Sequence, residues 1–238
     1  MMKKRFLGVL ALMTITGTLL IAGPATAQWE SFQKAKMATP SSVATVYHLL
    51  IRKLPDFAAW ARETDAYKKA DGFDKNVVLE NEMKRLKDQF RLITLAEPLS
   101  VEARVRLSSY SHVRKGFILD GISKDSFFSY SFLGKNYAIV LPELANFQWM
   151  PVEGAQAERL EKAARGNLRT LLLVVNVRPN YADEKPVEIE GKEYFLISGK
   201  IRSVDIFDPQ QRTAGALWGK SNVTQEAAEK QELLNLYR

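Results

Sequence analysis

The residues of this chain with the plainest capacity for chemistry are cations carried on strand-like runs. Val101-Glu102-Ala103-Arg104-Val105-Arg106-Leu107 alternates apolar and charged residues strictly, the period of a strand with one dry and one wet face. Arg104 and Arg106 therefore project from the same wet face, Arg114-Lys115 follow shortly, and Lys200 with Arg202 repeats the arrangement. Guanidinium groups side by side on a rigid strand can hold phosphate or carboxylate in a bidentate manner. A solvated sheet face that keeps an edge from aggregating would use the same residues. Arg104, Arg106, Arg114, Lys115, Lys200 and Arg202 are thus the candidate surface for an anionic ligand or partner.

Carboxylates offer a second kind of chemistry. Asp120, Asp125, Asp205 and Asp208 fall near strand ends, and two such groups several ångströms apart would serve acid–base hydrolysis of a glycan. Aspartates are also common turn formers. His48 and His112 stand far apart with no partner at metal-ligand spacing, so they read as a helix-surface and a turn residue, and no metal site is expected. The absence of cysteine excludes disulfides, thiolate sites and cysteine nucleophiles. Ser31-Phe32-Gln33-Lys34 has Ser-x-x-Lys spacing without an accompanying signature, and Gly121-Ile122-Ser123 lacks the second glycine of a nucleophile elbow. No cofactor is expected.

These residues need a scaffold, and its centre is Leu171 to Trp218. Thr170–Val177 is nearly continuous in apolar residues, as in a central strand, and Arg178-Pro179-Asn180 should stop it. Tyr194–Phe207 changes phase near Gly199, which implies a bulge there, and Ala214–Trp218 completes an antiparallel meander. Further strands are expected at Phe117–Leu119, Ser126–Phe132 and Tyr137–Val140. Ahead of Pro98 the period is helical. Thr39-Pro40 opens one helix, Asp56 caps a second that Asp71-Gly72 closes in the left-handed position, and Asp74 caps a third. Glu153–Arg165 is a short helix supported by Glu158–Lys162 and Glu161–Arg165, and Asn222 with Gln225 opens a last one to Tyr237. The fold class is α+β: N-terminal helices (28–96) packed on a mainly antiparallel sheet, in a β-rich part (97–238) with a C-terminal helix.

Lys3, Lys4 and Arg5 precede an apolar run from Phe6 to Ile21, followed by Ala25-Thr26-Ala27. This is the pattern of a secretory signal peptide, residues 1–27, and implies export by the general secretory route to the periplasm or beyond, with no transmembrane span after cleavage. Losing those three basic residues takes the formal charge from +7 to +4. That mild excess, interleaved with acids, suits an anionic envelope surface and not nucleic acid.

Asn81-Glu82, Tyr110, Gly116-Phe117, Pro151, Ala157-Glu158 and Arg169-Thr170, in this order, resemble a loosely defined family of exported bacterial proteins known only as a domain of unknown function. The resemblance implies export and supplies no activity. The inventory as a whole favours a non-catalytic periplasmic binding or protein-interaction module, whose partner would be an envelope protein or an anionic envelope component. The competing class is an envelope-polymer hydrolase with a carboxylate pair. A third is a structural part of an envelope assembly.

Overall fold

The computed structural model of the chain describes residues 36–222. The leader, the Ser31–Lys34 pattern and the stretch from Gln225 to Tyr237 lie outside them. The helices are α1 (Pro40–Leu50), α2 (Phe57–Arg62), α3 (Asp65–Lys69), α4 (Lys75–Arg91) and α5 (Gly154–Gly166). The strands are β1 (Lys36–Met37), β2 (Leu99–Leu107), β3 (Gly116–Asp120), β4 (Phe127–Phe132), β5 (Lys135–Val140), β6 (Trp149–Pro151), β7 (Thr170–Ala182), β8 (Val187–Ile189), β9 (Lys192–Phe207) and β10 (Trp218–Ser221). The class is α+β, with a mixed, mostly antiparallel sheet whose main path runs β4-β5-β9-β7-β2-β3-β6.

β7 holds the centre because Val174, Val175, Asn176 and Val177 are all buried between β2 and β9. Residues directly opposite in a ladder share a face, so Val101, Leu173, Val175, Val177, Ile201, Val204 and Ile206 form one dry side. α1 packs on that side: the Tyr47 ring lies 5.5 Å from Tyr137 and 5.1 Å from Phe195. The Tyr47 hydroxyl donates to Asp183 O at 2.9 Å, tying the helix to the end of β7.

Local chemistry corrects several expectations. Pro179 does not end β7; the strand runs on to Ala182, with Pro179 opposite Gly199. Beyond Val177 the strand has left β2 behind, so the amide hydrogen that proline lacks is not needed by a second neighbour. The register breaks twice: Arg202 of β9 slips out between the Asn176–Ser203 and Val177–Ile201 pairs, and the irregularity expected near Gly199 lies on β7, where Asn180 slips out between the Pro179–Gly199 and Tyr181–Ser198 pairs. Gly199 is also required by contact: a Cβ there would lie 2.6 Å from Val177 Cγ1 and 2.7 Å from Arg178 O. The last strand starts at Trp218, where it was expected to end, because a 3-10 turn occupies Arg212–Ala214.

Among the helices, the capping box at Thr39 joins Ser42. The second expected helix is two, α2 and α3, because Thr64 restarts the chain by accepting from Tyr67 N at 3.3 Å. Gly72 does not adopt a positive φ. Asp71, and not Asp74, accepts from the amides before α4, those of Phe73 and Asp74, at 3.0 and 3.1 Å. His48 is no surface residue: it is half-buried, 5.3 Å from the Tyr47 and Trp60 rings, and its Nδ1 donates to Lys53 O at 3.0 Å. Burial lowers its pKa. No helix among the described residues is long and apolar enough to cross a membrane.

Candidate functional site

The six candidate cations fall in three places. Arg104 and Arg106 are exposed on one face of β2, and no hydrogen bond or ion pair engages either among the described residues. Arg106 stands across from Thr170 on β7 and from Asp120 on β3. The tip of the β2–β3 hairpin carries the next two: the Arg114 guanidinium lies 4.2 Å from the centre of the Trp149 ring, and Lys115 Nζ is 3.2 Å from Glu153 Oε2. The third place lies six residues further along β7 from Arg104's partner Leu172, about 20 Å away. There Lys200 faces Arg178 directly, both exposed, while Arg202 sits half-buried in its bulge. The structure does not gather Lys200 and Arg202 with Arg104 and Arg106. Nothing in the sequence points to Arg178, because Pro179 after it reads as the strand's end.

The four aspartates do not converge. Asp120 and Asp125 are exposed, the first on β3 and the second in the turn after it. Asp208 accepts from Asn167 Nδ2 at 3.1 Å and from Gln210 N at 2.8 Å, as a turn aspartate does. Asp205 is 2% exposed, and burial, opposed by a hydrogen bond from Ser203, pushes its carboxyl up to about 6. It ends a buried ladder across three strands: Ser100 Oγ donates to Asn176 Oδ1, Asn176 Nδ2 to Ser203 Oγ at 2.8 Å, and Ser203 Oγ to Asp205 Oδ2 at 3.0 Å. On the same face, Arg212 reaches from the β9–β10 connection to Glu102 Oε1 and lies 3.8 Å from Met37 Sδ.

A groove of about 700 Å³ lies between the β2–β3 turn and α5, lined by Ser109, Tyr110, His112, Gly154, Ala157, Glu158, Glu161, Lys162 and Arg165. Its walls are joined by Arg169. The guanidinium donates through Nε to Leu107 O at 2.7 Å and through Nη2 to Ser108 O on the turn side. On the helix side it forks onto Glu161, 3.1 Å from each carboxylate oxygen. These bonds, joined by one from Arg165, hold the Glu161 carboxyl below the usual range. Leu168 and Arg169 adopt φ of 51° and 62°, a left-handed pair that costs roughly 1 kcal/mol or more per residue and turns the chain from α5 into β7. Neither is glycine, so nothing in the sequence announces the turn. Tyr110 is fixed as well: its hydroxyl donates to Val152 O at 3.2 Å, its ring lies 5.2 Å from Phe117, and the His112 ring meets it edge-on at 5.0 Å.

The expected pair Glu161–Arg165 forms at 3.0 Å. Glu158 and Lys162 do not join, and neither has another partner among the described residues. Tyr110, Phe117, Ala157, Glu158 and Arg169, quoted for the resemblance, all meet around this groove, whereas Asn81 and Glu82 lie on α4. Comparison with protein-family models, with curated proteins and with solved structures finds no match in any of the three.

Proposed function

We propose that this chain is an exported bacterial binding module, non-catalytic, that holds an anionic envelope component or an acidic patch of an envelope protein against the face of β2 bearing Arg104 and Arg106. The leader-like N-terminus and the resemblance to exported proteins support the location. One observation carries the binding surface: Arg104 and Arg106 are exposed on β2, which β7 pairs throughout and β3 pairs at Arg106, and among the described residues they engage no acid, while Glu102 beside them is already taken by Arg212. Weakly hydrated guanidinium groups at strand spacing suit a carboxylate or phosphate, and the rigid backbone limits the ordering cost to the two side chains themselves. A hydrolytic reading draws no support from Asp205, whose raised carboxyl is shut away from any polymer.

The test is photo-crosslinking in producing cells, with a photoreactive phenylalanine analogue replacing exposed Asp120, across from Arg106. A discrete adduct that disappears in the Arg104→Glu/Arg106→Glu variant, at unchanged thermal midpoint, is the expected result. An adduct pattern indifferent to that charge reversal would refute the reading.

A further inference from the structure

We propose that the groove between the β2–β3 turn and α5 is a glycan-binding site, which takes a short run of neutral sugar rings against the Tyr110 ring. Its volume of about 700 Å³ lies within the range of small-molecule sites. It is also pre-formed. The Arg169 fork ties the turn to the helix, so the walls do not have to be ordered when a ligand arrives.

The chemistry of the lining matches a pyranose, which has an apolar C–H face and a rim of hydroxyls that each donate and accept. Tyr110 spends its hydroxyl on Val152 O, so the ring is what it offers to a ligand. Gly154 and Ala157 carry nothing larger than a methyl, which leaves room for a flat ring. Around them stand an acceptor-only carboxylate, Glu158, a donor-only ammonium, Lys162, and two groups that can do either, Ser109 and His112. Glu158 and Lys162 are four apart on the helix, a spacing at which such residues commonly pair. Here they do not, and each keeps its hydrogen-bonding capacity.

Charge separates this groove from the β2 face. Glu158 and Glu161 offset Lys162 and Arg165, and Arg169 behind them is spent on Glu161 and two carbonyls, so the lining has no surplus cation turned to a phosphate. Glu161, held by Arg169 and Arg165, is committed to the wall and leaves Glu158 as the carboxylate that a ligand meets.

The test uses the exported chain isolated from producing cells, titrated in an NMR spectrometer with cellotetraose, with the tetramer of N-acetylglucosamine and with inorganic phosphate. The Tyr110 and His112 ring signals should shift with one or both glycans, not with phosphate, and the binding should not weaken with salt. Glu158→Ala, at an exposed helix position, should fold normally and bind about fivefold more weakly. Tyr110→Ala should abolish binding, and Lys84→Ala on α4 should change nothing. No shift with either glycan, shifts that map elsewhere, phosphate in their place, or a Glu158→Ala affinity equal to wild type would each overturn the assignment. Cleavage of either tetramer would overturn its non-catalytic form.

Discussion

Asp205 and Glu161 are both acids held by hydrogen bonds on elements that flank β7, and their carboxyls move in opposite directions. Asp205 lies at the end of a buried hydroxyl–amide ladder with no cation among its hydrogen-bond partners in that ladder, and loss of water raises it to about 6. Glu161 meets two guanidinium groups on the wall of an open groove, and they lower it. A perturbed acid marks a working site only where a ligand can reach it. By that measure the larger shift belongs to structure and the smaller to the groove.

The contrast can be broken from either side. Arg169→Ala should have the largest effect, because it leaves the Leu107 and Ser108 carbonyls and the Glu161 carboxylate without their shared donor. A loss of about 3 kcal/mol in urea unfolding is expected, with part of it restored by Arg169→Lys. A loss below about 1 kcal/mol would mean that the clamp does not hold the groove.

Asp205→Asn sharpens the other side, through pH. The folded carboxyl titrates near 6 and the unfolded one near the ordinary 3.8, so the folded state favours the proton. The stability Asp205 contributes is full below the unfolded value and is lost as pH rises through about 6. The asparagine variant, which never ionises, should therefore exceed wild type by roughly 3 kcal/mol at neutral pH. The two should converge in the acid range. His48, lowered by burial, acts in the opposite sense, so the difference between the two proteins is the quantity to follow. Equal stability at neutral pH would show that Asp205 stays ionised at no cost.

Tyr137 supplies a smaller test of buried polarity. Its hydroxyl has no hydrogen-bond partner among the described residues, in a fully buried site. Tyr137→Phe should be neutral or gain about 1 kcal/mol, and a loss of that size would reveal a partner. The smallest effect belongs to Lys200→Glu, which turns a like-charged cross-strand pair with Arg178 into an opposite one. A gain under about 1 kcal/mol that fades with salt is expected, and a loss would mean that the two cations are not in register.

Period and residue type made the exposed Arg104 and Arg106 and the apolar centre of β7 legible, because a strand with a strict alternation has one arrangement against a core. What escaped depends on partners distant in the chain. Pro179 reads as a stop unless one knows that β2 has already ended beside it. Thr64 breaks a helical pattern that the spacing of Trp60 and Tyr67 continues along one side. The groove was least legible: Arg169 has no motif around it, and its reach to Leu107, Ser108 and Glu161 follows from a left-handed turn between two residues that rarely adopt one. Asp205 was named among the carboxylates, but only the ladder across β2, β7 and β9 shows that it faces no solvent.

If Arg104 and Arg106 hold an anionic partner in the cell envelope, a photo-crosslink at position 120 captures that contact itself. The expected result is a discrete adduct in producing cells that is lost on reversing the charge of Arg104 and Arg106. An adduct that survives the reversal, or none beyond contacts of the chain with itself, would contradict it.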